Sequence, residues 1–429
     1  MRTLGALALT VLLAAPVRAG ECGGPVPCDC GDTLTGATRL SRNLGPCEQD
    51  GLVLRFGAVL DCDGHTITGE APTKREAAPR AQKDSVPSFG IVLDNTTGAL
   101  VQDCKVTGFD YGIELSNARD SRVTGVEVFH NGDFQHRVGY GIHLSRSYGN
   151  TIERSLVRDS ADEGIHIGSD SDRNTVASNR AHDNGRENFY ILNARGNRLI
   201  GNHGWGGVSA NLYMKNAVDN VVEDNRFETR PVVVRGASQG NVFAANVLGG
   251  GIKFQPLGDD GKATSPSGNV VRGGKVAGDA ACVELLDARD NRLEEVEFSG
   301  CQSVVARAVD TAANTFVGVD VSRVRLNLLG GAILNLGAPV RVEVRGRGGK
   351  PVAGAKIELR DVTGNVHPAP ASDKTGAARC IVPTHVVNAL GLSELTPVAV
   401  RVSADGNGDG RVVIEDPPPA KVTVTLSGK

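Results

Sequence analysis

Asparagine recurs along the middle of this chain at an almost fixed interval. Asn150, Asn174, Asn197, Asn220, Asn241, Asn269, Asn291 and Asn314 are separated by 24, 23, 23, 21, 28, 22 and 23 residues, and Ser121 holds the same place one turn earlier. A period in the twenties, carried by a polar residue through strand-rich sequence, describes a solenoid whose every turn needs the next to cover its apolar face. Two residues beyond each polar position comes an apolar one: Val123, Ile152, Val176, Leu199, Val222, Phe243, Val271, Leu293 and Phe316. That column must point inward. A second polar column follows at Asn179, Asn202, Asn225 and Asn246, with Ser155 ahead of it. Asparagine tolerates the backbone angles of a sharp corner, and its amide can bond the amide one rung away.

Each turn carries another strand, as in Gly112-Ile113-Glu114-Leu115, Gly141-Ile142-His143-Leu144, Gly164-Ile165-His166-Ile167, Asn188-Phe189-Tyr190-Ile191 and Asn211-Leu212-Tyr213-Met214. Alternation turns Ile, Phe, Leu and Met inward and the residues between them outward. This pattern resembles the right-handed, single-stranded parallel β-helix of pectin-lyase-like proteins, over residues 51–325. The resemblance implies an all-β fold. It leaves activity open, because the class holds lyases, hydrolases, epimerases and non-enzymatic surface proteins.

The 429 residues include 55 glycines, which suits tight turns, and 46 basic against 49 acidic side chains. So balanced a charge offers no large field to draw nucleic acid or an anionic membrane. Residues 1–19 read as an export signal: Arg2, the apolar stretch Leu4 to Ala15, then Val17-Arg18-Ala19 as a cleavage context. No other stretch is long and apolar enough to span a bilayer. Five of nine cysteines crowd the early part of the chain, which fits a secreted, periplasmic or cell-surface protein. Residues 20–50 read as a disulfide-stapled cap over the open end of the solenoid. Cys30 with Cys47 is the preferred pair, and Cys62 with Cys104 occupy equivalent places in adjacent coils. Cys380 stands isolated.

Three stretches break the period: Glu70 to Ser88, Gly132 to Val138, and Pro256 to Ser267. On a solenoid such excursions form walls of a groove or plain surface loops. The repeat fades after Arg325, so 326–339 reads as a linker and 340–429 as a separate domain. There, Val342-Glu343-Val344, the turn Gly348 to Ala355, the strand Lys356 to Leu359 and Ser372-Asp373-Lys374-Thr375-Gly376 resemble a carboxypeptidase-regulatory-like or transthyretin-like β-sandwich. That likeness implies a stabilising, adhesive or spacing module.

The outward column of the strand described above reads Glu114, His143, His166, Tyr190, Tyr213, Val233 and Lys253. With rungs roughly 4.8 Å apart, these side chains form a continuous ladder. Tyr111, Tyr140, Glu163 and Glu187 lie three residues earlier, and Lys215 and Arg235 two residues later. Tyrosine stacks on sugar faces, Glu and His bond hydroxyls, and Lys or Arg meets a uronate carboxylate. Proton abstraction beside such a carboxylate needs a base, an acid and a neutralising cation. His166 as base, Tyr190 or Tyr213 as acid, and Lys215 or Arg235 as cation would supply them, as in the His and Tyr sites of β-helical polysaccharide lyases and C5-epimerases. The Asp-Pro-His-Asp motif of alginate epimerases and the Asp cluster of calcium-dependent pectate lyases are absent. A hydrolase would need two carboxylates, for which Glu114, Glu163 and Glu187 are candidates. The expected partner is thus a polysaccharide, taken up by a monomer, with a solvated non-catalytic scaffold as the competing reading.

Two metal sites are conceivable. His143 and His166 with Glu114 or Glu163 could hold a transition metal, and some exported β-helix repeat proteins resemble NosD-like factors of copper-site maturation. Asp405, Asn407, Asp409 and Asp416 have the oxygen spacing of an EF-hand-like or dockerin-like calcium loop. The strands on either side, and Pro417-Pro418-Pro419 after them, favour a Gly- and Asp-rich hairpin instead.

Overall fold

The computed structural model describes residues 22, 26–70, 87–133, 138–258, 264–278 and 280–427. The export segment, nearly all of the 70–88 excursion, and parts of the 132–138 and 256–267 excursions lie outside these residues. Among those described there is no helix; the chain is an all-β parallel solenoid followed by a small sandwich.

Each coil contributes one strand to each of three parallel ladders. The coil at residues 111–129, for example, places Tyr111–Ser116 in the first, Arg122–Thr124 in the second and Glu127–Phe129 in the third. Each of these pairs with its equivalents one coil before and after, in parallel register. The apolar column from Val123 to Phe316 is in register throughout and buried.

The corners work differently from expectation. The left-handed residue is the one before the asparagine, at every corner but that of Asn314: Gly149, Arg173, Gly196, Asp219, Gly240, Gly268 and Asp290 all have positive φ, as do Ser178, Gly201, Asp224 and Ala245 in the second column. That turn swings the asparagine side chain into the interior. There Asn197 Oδ1 accepts the Asn174 backbone N–H at 2.8 Å and its Nδ2 at 3.1 Å, while Asn197 Nδ2 donates to Asn220 Oδ1. The amides thus satisfy one another across rungs, away from water.

Coiling begins earlier than expected. Asp32–Leu34, Ala37–Arg39 and Leu44–Cys47 already form a rung of the three ladders, so the cap region is itself the first coil. Cys30–Cys47 and Cys62–Cys104 are bonded as anticipated, joined by Cys22–Cys28 and Cys282–Cys301; Cys380 is free and buried. These bonds mark an exported protein.

Residues 326–339 are no linker. Arg325–Arg345 is one continuous strand that pairs parallel with the solenoid strand Ser303–Val317 and antiparallel with Ala377–Asn388 of the sandwich. Its C-terminal part also pairs with Lys421–Thr425. The opposing layer is a four-stranded antiparallel sheet of Lys356–Arg360, Val366–His367, Val398–Ala404 and Gly408–Ile414. Val340, Val342, Val344, Ile357, Leu359, Val400 and Val402 fill the space between.

Candidate functional site

The first ladder holds Glu114, His143, His166, Tyr190, Tyr213, Val233, Lys253 and Glu284 at one register position, each beside the next. Their neighbours Ile142, Leu144, Ile165, Ile167, Phe189 and Ile191 belong to the solenoid core, so alternation directs the column away from it. Glycine permits the tight packing here. A Cβ at Gly164 would lie 2.6 Å from Asn184 Nδ2 and 2.7 Å from the Asn188 carbonyl.

Exposure is the surprise. Outward residues of a solenoid face are ordinarily solvated, yet His166 is 5 % exposed, Glu163 2 % and Glu187 1 %. Aromatic rings close the gaps between rungs. Tyr140 and Tyr190 meet the His166 ring edge-on at centroid distances of 4.7 and 4.8 Å, and His143 lies 4.9 Å away. Tyr111 packs on Tyr140 at 5.1 Å, and Tyr190 on Tyr213 at 5.4 Å.

The two ends of the ladder satisfy themselves. His143 Nδ1 sits 2.7 Å from Glu114 Oε2, Arg235 Nη1 donates to the Tyr213 hydroxyl at 3.2 Å, and Lys253 pairs with Glu284 at 2.6 Å. Arg235 also donates to the Pro256 carbonyl. Lys215 stands beside Arg235 in the next column, half-buried. The middle is different: neither ring nitrogen of His166 has a hydrogen-bond partner, and Glu163 Oε2 lies 3.8 Å from Nδ1.

Residues that pattern-reading passed over complete this middle. Arg186 Nη1 lies 3.3 Å from both Asp162 Oδ1 and Glu163 Oε1, and its Nε 3.6 Å from Glu187 Oε2. Ser209 donates to Glu187 Oε1 at 2.6 Å. Asp162 and Arg186 each precede a singled-out glutamate by one residue, on turns where periodicity carries no signal; an Asp-Glu pair beside the histidine strand was the available clue.

Burial governs protonation here. The Asp162 carboxyl is pushed up to about 7 by burial and by the charge of Glu163. Burial raises Glu163 and Glu187 as well, and drives His166 well below the usual imidazole range, aided by His143 and Arg186. Tyr140 and Tyr190 are raised by burial and by Glu163. At neutral pH the site therefore presents a neutral imidazole, protonated phenols and carboxyls whose ionisation burial opposes.

Among the described residues no three His, Cys, Asp or Glu side chains group so as to hold a metal ion. Glu114 and Glu163 approach separate imidazoles instead of converging on one point. Among the described residues soft copper ligands are also missing: Met214 is in the core, eight cysteines are in disulfides and Cys380 is buried in the sandwich. Asp405 and Asn407 lie on the turn of a hairpin between Val398–Ala404 and Gly408–Ile414, Asp409 on its return strand, and Asp416 beyond that strand's end. The helix-flanked geometry of a calcium loop is not built.

Residues 78–260, which contain every rung from Glu114 to Lys253, match the family model described as periplasmic copper-binding protein (NosD). No curated protein matches the chain. Among solved structures, the A-module of a mannuronan C-5 epimerase from Azotobacter vinelandii is 14 % identical, with 70 % of this chain and 86 % of that one covered and a TM-score of 0.37. A periplasmic alginate epimerase is 17 % identical over 62 % of this chain and 73 % of its own, at 0.45. The Dettilon tailspike protein is 11 % identical over 89 % and 72 %, at 0.47. These are likenesses of fold, and the fold of this chain is itself a parallel β-solenoid.

Proposed function

We propose that the Glu114 to Lys253 face binds an acidic extracellular or cell-wall polysaccharide and that the His166 rung transfers protons at a uronate ring. The observation that carries this is the buried His166 imidazole with both nitrogens free of hydrogen bonds, held between two protonated tyrosines. A buried polar group left unsatisfied costs about 1–3 kcal/mol, so a ligand that satisfies it is the natural account.

His166, unprotonated at neutral pH, takes the proton from the carbon beside the uronate carboxylate as that C–H bond breaks. The electron pair passes toward the carboxylate. Arg186 stabilises the charge that builds there. Tyr190 then gives its proton to the leaving glycosidic oxygen, in an elimination, or to the opposite face of the ring carbon, in an epimerisation. Arg186 suits the carboxylate better than Lys215 or Arg235, because Arg235 is committed to Tyr213 and Pro256 and both lie toward the far end of the ladder. Tyr190 suits the acid role better than Tyr213, being one rung from His166 instead of two.

The test is a panel of uronic-acid polymers in heavy water, followed by ultraviolet absorbance for unsaturated ends and by proton spectra for deuterium at the abstracted position. His166→Ala is expected to lower the rate by about 10²-fold or more with melting unchanged, and Tyr190→Phe to do likewise. Silence on every polymer would exclude the chemistry. Polymer binding without turnover would favour a second reading, a non-catalytic periplasmic binding scaffold, which the self-satisfied ends of the ladder support.

A further inference from the structure

A second site lies where the solenoid meets the sandwich. A cavity of about 510 Å³ opens there, within the range that holds small ligands, and it is lined from both modules. One wall is the column Arg292, Thr315 and Asn335, in register on the last rungs of the second ladder. The sandwich contributes His367, on the short strand Val366–His367. Between them, Leu336, Ile381, Pro383 and Leu395 give apolar surface.

The sandwich wall is built to hold one geometry. Asp361, whose side chain is fully buried, accepts hydrogen bonds from the Thr363 and Asn365 backbone N–H groups, the Thr363 hydroxyl and His367 Nε2, the last at 2.7 Å. Its carboxyl is held at about 2: burial opposes ionisation, but the bonds from Thr363 and His367 overcome it. An ionised Asp361 holds a proton on Nε2 and fixes the orientation of the His367 ring. The solenoid wall supplies the complementary set: a guanidinium, a hydroxyl and a carboxamide spaced one rung apart. Arg292 also pairs with Glu294, which steadies the guanidinium at the cavity edge.

We propose that this junction cavity binds one or two residues of a carboxylate-bearing sugar. The carboxylate meets Arg292, ring hydroxyls meet Thr315, Asn335 and His367, and the apolar ring face lies on the proline and leucine side. The site takes a monomer, a chain end or a product where the long ladder takes polymer. It stands independently of the chemistry at His166, since the two share no residue.

Calorimetric titration of the full chain tests it, with galacturonic acid as the probe and with glucose and succinate as arms lacking the carboxylate or the ring. Galacturonic acid is expected to bind saturably, and about tenfold more weakly to Arg292→Gln and to His367→Ala. Thr315→Val, which changes shape little, guards against a loss of fold in the other two and is expected to weaken binding as well. Absence of saturable binding, equal binding by all three variants and wild type, or succinate binding as tightly as galacturonic acid would each overturn the proposal.

Discussion

At the scale of single residues, the informative groups are those the backbone pattern cannot predict. Asp162 is an ordinary turn residue by sequence, yet burial beside Glu163 lifts its carboxyl to about 7. A group whose native pKa exceeds its unfolded value favours the folded state at low pH, and that contribution is lost as pH rises through the native value. Stability should therefore fall between pH ~4 and ~7 on account of this side chain. Asp162→Asn is expected to flatten that fall, so that its melting temperature gains on wild type as pH rises. Parallel melting curves across the range would show that Asp162 titrates at its ordinary value.

At the scale of elements, the corner ladders hold the coils in register. An asparagine within a column, such as Asn197, joins three rungs, and removing it strands its neighbours. Asn197→Ala would leave the Asn174 N–H and the Ser171 carbonyl without the partners they now have. Loss of such buried bonds costs on the order of 2–4 kcal/mol. Chemical denaturation is expected to show a lower midpoint by that amount with an unchanged slope, since the surface exposed on unfolding is the same. A change within experimental scatter would mean that water replaces the amide.

At the scale of the whole molecule, solenoid and sandwich form one continuous structure. Arg325–Arg345 runs through both, and Val387 of the sandwich packs in the solenoid's core. The sandwich strand Ala377–Asn388 also covers the edge that the last coil would otherwise expose. Heating is therefore expected to give one transition by both far-ultraviolet dichroism and tryptophan fluorescence, the latter from Trp205 in the solenoid. A chain cut after Gly337 should melt earlier and aggregate. Two separate transitions, with the first coils unaffected by the cut, would show the modules to be independent.

The sequence alone determined the fold and the ladder, because both follow from periodicity. A fixed period places Asn174 beside Asn197, and strict alternation puts His166 beside Tyr190, whatever else the chain does. The Cys62–Cys104 bond was legible for the same reason: equivalent places in adjacent coils are neighbours. Tertiary structure decided what periodicity does not encode. It showed that the left-handed turn falls on the residue before the asparagine at all corners but that of Asn314, that residues 326–339 are a strand, and that Asp162 and Arg186 join the site from turns. It also decided burial. Facing away from the core does not mean facing water, and only the packing of Tyr140, His143 and Tyr190 around His166 removed the solvent that would have made that histidine ordinary.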